Sequence, residues 1–201
     1  MHRYAAVLFV PAFIVLVALA GSPWRRFSMS VYALSILVMF GVSATYHSGR
    51  LGPLAFAVLR RVDHSTILLA VAGSYTGICS LALQGTSEII VLTTVWVAGL
   101  IGVVIRMCWL HAPSWLVAAV YLVVGWCALI QIVPLMRSLQ AVDTALLMLG
   151  GGLYSAGASV YATKRPNPYP HHFGFHEVFH TLVVAAAIAH FVLVMRLLLL
   201  R

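Results

Sequence analysis

Long apolar runs, each near the length of a membrane span and each closed by a short polar or proline-bearing break, leave this chain few folds. A helix needs about 20 mainly apolar residues to cross the hydrocarbon core of a bilayer. Seven runs fit that description: Tyr4–Ala20, Phe27–His47, Val62–Leu83, Glu88–Met107, Ser114–Met136, Asp143–Ala162 and Phe173–Leu200. The breaks include Gly21-Ser22-Pro23, Gly52-Pro53 and Gln84-Gly85-Thr86. Before the last run stands Lys164-Arg165-Pro166-Asn167-Pro168-Tyr169-Pro170, whose prolines cannot continue a helix. Leu54–Leu59, closed by Arg60-Arg61, reads as a short interfacial segment ahead of the third run. The runs are continuously apolar and lack the two-residue alternation of a membrane β-barrel. The expectation is an all-α fold, a single seven-helix integral membrane bundle over residues 1–201.

Composition supports this. The chain is 63% hydrophobic and 8% charged, against about 25% charged in soluble domains. Its net charge of +8 comes from 12 Lys and Arg against 4 Asp and Glu. Those cations sit in the short connections, where they set topology and meet lipid headgroups, so nucleic acid is not an expected partner. Arg3, Arg50, Arg60, Arg61, Arg106, Lys164 and Arg165 fall on the N-terminal side; Arg25, Arg26, Arg137, Arg196 and Arg201 fall opposite. This tally favours the N-terminus inside and the C-terminus outside. Met1-His2-Arg3-Tyr4 and the run after it have the outline of a signal peptide. Pro23, Trp24 and Arg25-Arg26 then stand where small cleavage-site residues belong, so the run is expected to be a retained first helix. Cys79, Cys108 and Cys127 form no C-x-x-C pair and read as small buried hydrophobes.

The chemistry gathers at one depth. His176-Glu177-Val178-Phe179-His180 opens the last run, and its two histidines lie one turn apart on one helical face. The spacing also matches the zincin pattern, with Glu177 as base, but that chemistry needs a further ligand downstream. His190 lies about 15 Å further along a continuous helix, too far to close the site. Glu177 is therefore expected to cap or pair at the helix start. With seven alternating spans, the end of the second, the start of the third and the start of the seventh face the same leaflet. Those places carry Ser43 and His47, Asp63 and His64, and His176 and His180. Three imidazoles with an open fourth position suit zinc. Asp63 either ligates directly or hydrogen-bonds the metal's water, and Ser43, on the face of His47, orients the imidazole or a substrate. Asp63 pairing with Arg60 or Arg61 is the simpler alternative. His64 directly follows Asp63 and is expected to face elsewhere, in packing or a headgroup contact. His171 and His172 read as surface residues or a weak secondary metal contact; His2, His111 and His190 have no evident partner. Gly150-Gly151-Gly152 and Gly157 read as close helix packing.

Ser43-Ala44-Thr45-Tyr46-His47, Arg61-Val62-Asp63-His64, Ala72-Gly73-Ser74-Tyr75-Thr76, Gly152-Leu153-Tyr154 and His176–His180 together resemble the hemolysin III family, within the progestin and adipoQ receptor superfamily. The resemblance runs from about the second span to the end. It implies seven helices with the N-terminus inside, zinc on His47, His176 and His180, and Asp63 and Ser43 beside it. It further implies an association with hydrolysis of ceramide-like lipid amides, or cytolytic or channel activity. Members typically carry an acidic, Asn-containing segment before the first helix; here Met1-His2-Arg3 stands there.

Two functional classes follow. One is a zinc-dependent lipid amide hydrolase, with Asp63 handling the proton and membrane lipids as partners and substrate. The other is a channel, pore or sensor of membrane state with structural zinc. A row of polar residues to line a pore is missing from every span. A receptor role ranks below both. A bacterial inner membrane is the expected location.

Overall fold

The computed structural model describes residues 2–47, 49, 52–109, 111–169 and 172–200, and these form helices joined by short connections. The order is α1 (His2–Leu19), α2 (Pro23–Tyr46), α3 (Pro53–Ala82), α4 (Thr86–Cys108), α5 (Ser114–Gly125), a 3₁₀ turn (Cys127–Gln131), α6 (Ile132–Ser138), α7 (Ala141–Thr163) and α8 (Phe175–Leu200). Of the residues named above, Met1, Arg50, Pro170, His171 and Arg201 lie outside the described residues.

Six segments are long and apolar enough to cross a membrane: α2, α3, α4, Ser114–Ser138, α7 and α8. The apolar stretch Tyr4–Leu19 of α1 is shorter than that measure. Large apolar side chains such as Leu8, Ile14, Leu34, Ile101, Val104 and Val123 stand on the outside. Water would penalise that surface and hydrocarbon does not, so this is an integral membrane protein.

Local chemistry explains the boundaries. Ser22 accepts a hydrogen bond from the Arg25 N–H at 3.3 Å, and Pro23 follows it, so α2 begins four residues before the expected Phe27. Gly85, at φ +60°, turns the chain into α4 in a conformation other residues resist. Two expected boundaries are corrected. Leu54–Leu59 is no separate interfacial segment, because α3 runs unbroken for 30 residues from Pro53. Pro53 suits a first helical position, and Arg60-Arg61 are good helix formers that break nothing. The fifth span is broken between Gly125 and Ile132. Pro134 lacks the N–H that would bond the carbonyl of Ile130 and crowds it as well. Tyr75 mends the break: its hydroxyl donates to the Gly125 carbonyl at 2.6 Å and accepts the Ala128 N–H at 2.9 Å.

Helix α3 is the most enclosed span and packs against α2, α4, α5 and α8. Small residues set the approach. A Cβ on Gly73 would fall 1.9 Å from Ser35 Oγ, and one on Gly77 would fall 2.9 Å from the Tyr32 ring. An aromatic cluster ties α1 to α2 and α8: Phe13 meets Tyr32 edge-on at 5.3 Å, and Phe9 meets Phe191 at 5.9 Å. The glycine expectation for α7 holds at two positions. Gly150 lies under the His190 ring and Gly157 against Phe179, whereas Gly151 and Gly152 face open space. Among the cysteines, Cys79 and Cys127 are buried but Cys108, in the last turn of α4, is exposed.

Candidate metal centre

Two helix ends meet where the histidines lie. His47 is the residue after α2, its N–H bonded back to the Ser43 carbonyl at 3.0 Å. His176 and His180 occupy the first and second turns of α8. His176 Nε2 lies 3.2 Å from His47 Nε2, across 129 residues of chain, and 2.7 Å from His180 Nε2. One ring nitrogen from each of the three lies within 4.8 Å of the others. A tetrahedral zinc with nitrogen ligands at 2.0–2.1 Å would hold them roughly 3.3 Å apart. A single proton can bridge only one pair of facing imidazole nitrogens, whereas one cation can bind all three lone pairs. The donor set therefore fits zinc.

Beside the cluster is a small cavity of about 20 Å³, largely apolar in surface, whose walls include the polar residues Ser43, Asp63, His64, His176 and His180. Asp63 lies in the third turn of α3, buried, and makes no ion pair with Arg60 or Arg61 among the described residues. Its neighbour across the cavity is Ser43, whose hydroxyl approaches the carboxylate without completing a well-formed hydrogen bond. All five expected site residues are thus brought together.

Glu177 behaves as a cap. Its Oε2 accepts the Gly174 N–H at 2.8 Å, which satisfies a donor before the first turn of α8 and turns the carboxylate away from metal work. The connection before α8 is braced by Asn167, whose Oδ1 accepts the Phe175 N–H at 3.0 Å, a contact invisible in the sequence. His111 and His172 are exposed and outside the cluster. His64 departs from expectation: it does not turn away from Asp63 but borders the same cavity. Neighbouring helix positions point only about 100° apart, so both can flank one cavity.

Sequence reasoning filed Arg106 as a topology charge, yet it is only 3% exposed. A signal was present: Val91, Val95, Gly99, Gly102 and Arg106 recur at three- and four-residue steps and form the buried row of α4. His190 is likewise buried, its Nε2 3.4 Å from the Leu147 carbonyl on α7. A larger, apolar cavity of about 130 Å³ includes His190 and Tyr154 in its walls. It shares Met39, Ile67, Tyr121, Phe179 and Val183 with the smaller cavity, so the two adjoin.

Comparison with known proteins bears on the family of the chain. A family model described as Haemolysin-III related matches residues 1–191. The chain is similar to the Hemolysin-3 homolog of Bacillus subtilis (strain 168), with 33% identity over 193 residues, 94% of this chain and 87% of the relative. It is also similar to Hemolysin-3 of Bacillus cereus, with 28% identity over 167 residues, 82% of this chain and 76% of the relative.

Proposed function

This chain belongs to the haemolysin-III-related family, and from that premise we propose that it is a zinc-dependent hydrolase of ceramide-like lipid amides. The observation that carries the reading is the junction of two cavities. The smaller has Asp63, Ser43 and two histidines of the cluster in its walls; the larger is apolar and lined from several helices of the bundle. Such a pair suits a ligand with one polar group and a long hydrocarbon chain.

His47, His176 and His180 would hold the ion. Zinc, when bound, supplies Lewis acidity toward a carbonyl and lowers the pKa of water. Asp63, buried beside the cluster, takes the proton of the attacking water and returns it to the leaving nitrogen as the C–N bond breaks. The products are a fatty acid and an amine. Ser43, in the wall of the same cavity, orients the substrate.

The reading places the protein in a bacterial inner membrane with lipids as its partners. It takes α1 as a seventh crossing, with the N-terminus inside. Supporting that, Phe9, Phe13 and Leu16 pack inward from α1 while Val7, Leu8 and Ile14 face out, and its 18 residues rise roughly 27 Å.

Metal analysis of the detergent-purified protein is the test. Wild type is expected to carry about one zinc per chain, and His176→Ala and His180→Ala to lose it. Full metal content in both variants would overturn the site. A second reading, a membrane-permeabilising protein with structural zinc, draws on the name of the Bacillus cereus relative. Leakage from liposomes without turnover of any lipid amide would favour it.

A further inference from the structure

Arg106 is a buried cation with no carboxylate paired to it among the described residues. Its Nη1 donates to the Trp109 carbonyl at 3.3 Å, and its Nη2 meets Nδ1 of His64 on α3. Gly102, one turn before, lets the helices come this close: a Cβ there would sit 2.8 Å from Leu68 Cδ1.

A guanidinium has donors only, so the nitrogen it faces must be a bare acceptor. His64 is therefore neutral, with its proton on Nε2; an imidazolium would set two N–H groups against each other. The ring is held in place besides. The Tyr121 hydroxyl donates to the His64 carbonyl at 2.9 Å, and the Tyr161 ring stands edge-on at 6.1 Å. With Nδ1 committed to Arg106, the polar edge that His64 has left for the cavity it lines is Nε2–H. Around the same cavity stand Asp63, Ser43, His176 and His180, with the Tyr121 and Tyr161 rings beside His64.

We propose that His64 is a ligand-binding donor, its Nε2–H directed at the carbonyl oxygen of the lipid head group. Arg106 is the positioning residue that holds this tautomer. The identity of that carbonyl, an amide or the acid released from it, rests on the reading above; the direction of the donor does not. In an enzyme the same N–H would meet the charge that develops on that oxygen as water attacks.

The test uses the full chain in detergent micelles with ¹⁵N-labelled histidine. The His64 signals, identified by their loss in His64→Gln, are expected to show a bare Nδ1 and a protonated Nε2. In Arg106→Met the preference is expected to relax toward a mixture of tautomers. Calorimetry with laurate on the zinc-loaded protein gives the second readout. His64→Leu is expected to bind laurate roughly tenfold more weakly, the loss of one hydrogen bond to a charged group. His64→Gln, whose amide N–H can stand in for Nε2–H, is expected to stay within about threefold. The proposal is overturned by an Nδ1–H tautomer or an imidazolium in wild type, by unchanged affinity in His64→Leu, or by no laurate binding to wild type. Should wild type hydrolyse no lipid amide while the tautomer and affinity results hold, the hydrolase reading fails and the donor stands. Should it hydrolyse amides while His64→Leu binds normally, the reverse follows.

Discussion

At the scale of single residues, the candidate centre brings together groups of different chemistry. His47, His176 and His180 offer lone pairs that converge, whereas Asp63 offers a buried carboxylate with no cation paired to it among the described residues. The roles separate by substitution. Asp63→Asn keeps the shape of the side chain and removes its capacity to accept a proton. It is expected to retain zinc at wild-type stoichiometry while lipid amide turnover falls about 10²- to 10⁴-fold, the usual worth of a positioned acid–base group. Metal analysis and a turnover assay on the same preparation check both halves, and loss of metal in this variant would make Asp63 a ligand instead. Glu177 gives the contrast: it caps the Gly174 N–H, so Glu177→Gln is expected to leave both metal and turnover near wild type.

At the scale of helices, close approach is set by small residues facing large rings. Gly150 on α7 is the tightest approach to a ring, because an added Cβ would lie 2.2 Å from the His190 ring on α8. Gly150→Ala is expected to destabilise by about 1–3 kcal/mol, the usual cost of overpacking, seen as a lowered thermal midpoint in detergent. Removing the ring in Gly150→Ala/His190→Ala is expected to recover part of that loss, a coupling that unlinked sites would not show. The far ends of the same two helices are joined by Arg196 and Asp143, with Nε 3.0 Å from Oδ1. Asp143, only 1% exposed, also closes the capping box of α7 by accepting the Gln140 N–H at 3.3 Å. Arg196→Ala leaves that carboxylate with fewer donors and is expected to cost about 1–3 kcal/mol by the same measurement.

At the scale of the whole molecule, a metal on α2 and α8 would tie the first half of the chain to the last. Chelation is therefore expected to lower the thermal midpoint of the wild type, and added zinc to restore it, with no effect in His176→Ala/His180→Ala. Reporter fusions at the C-terminus are expected to be active on the outer side of the membrane if α1 crosses it. By itself the sequence determined the all-helical membrane class, since run length and hydropathy are properties of contiguous residues. It also placed Ser43, His47, Asp63, His176 and His180 at one depth, because alternating spans return each of those helix ends to the same leaflet. The unbroken α3 and the break after Gly125 were less legible, as both turn on backbone bonding within runs of similar hydropathy. What only the tertiary structure decided are the contacts between helices: Arg106 on His64, Gly150 under His190, Arg196 on Asp143. Hydropathy records how deep a residue lies but not the rotation of its helix about its own axis. Only packing against neighbours settles which face a buried charge will find.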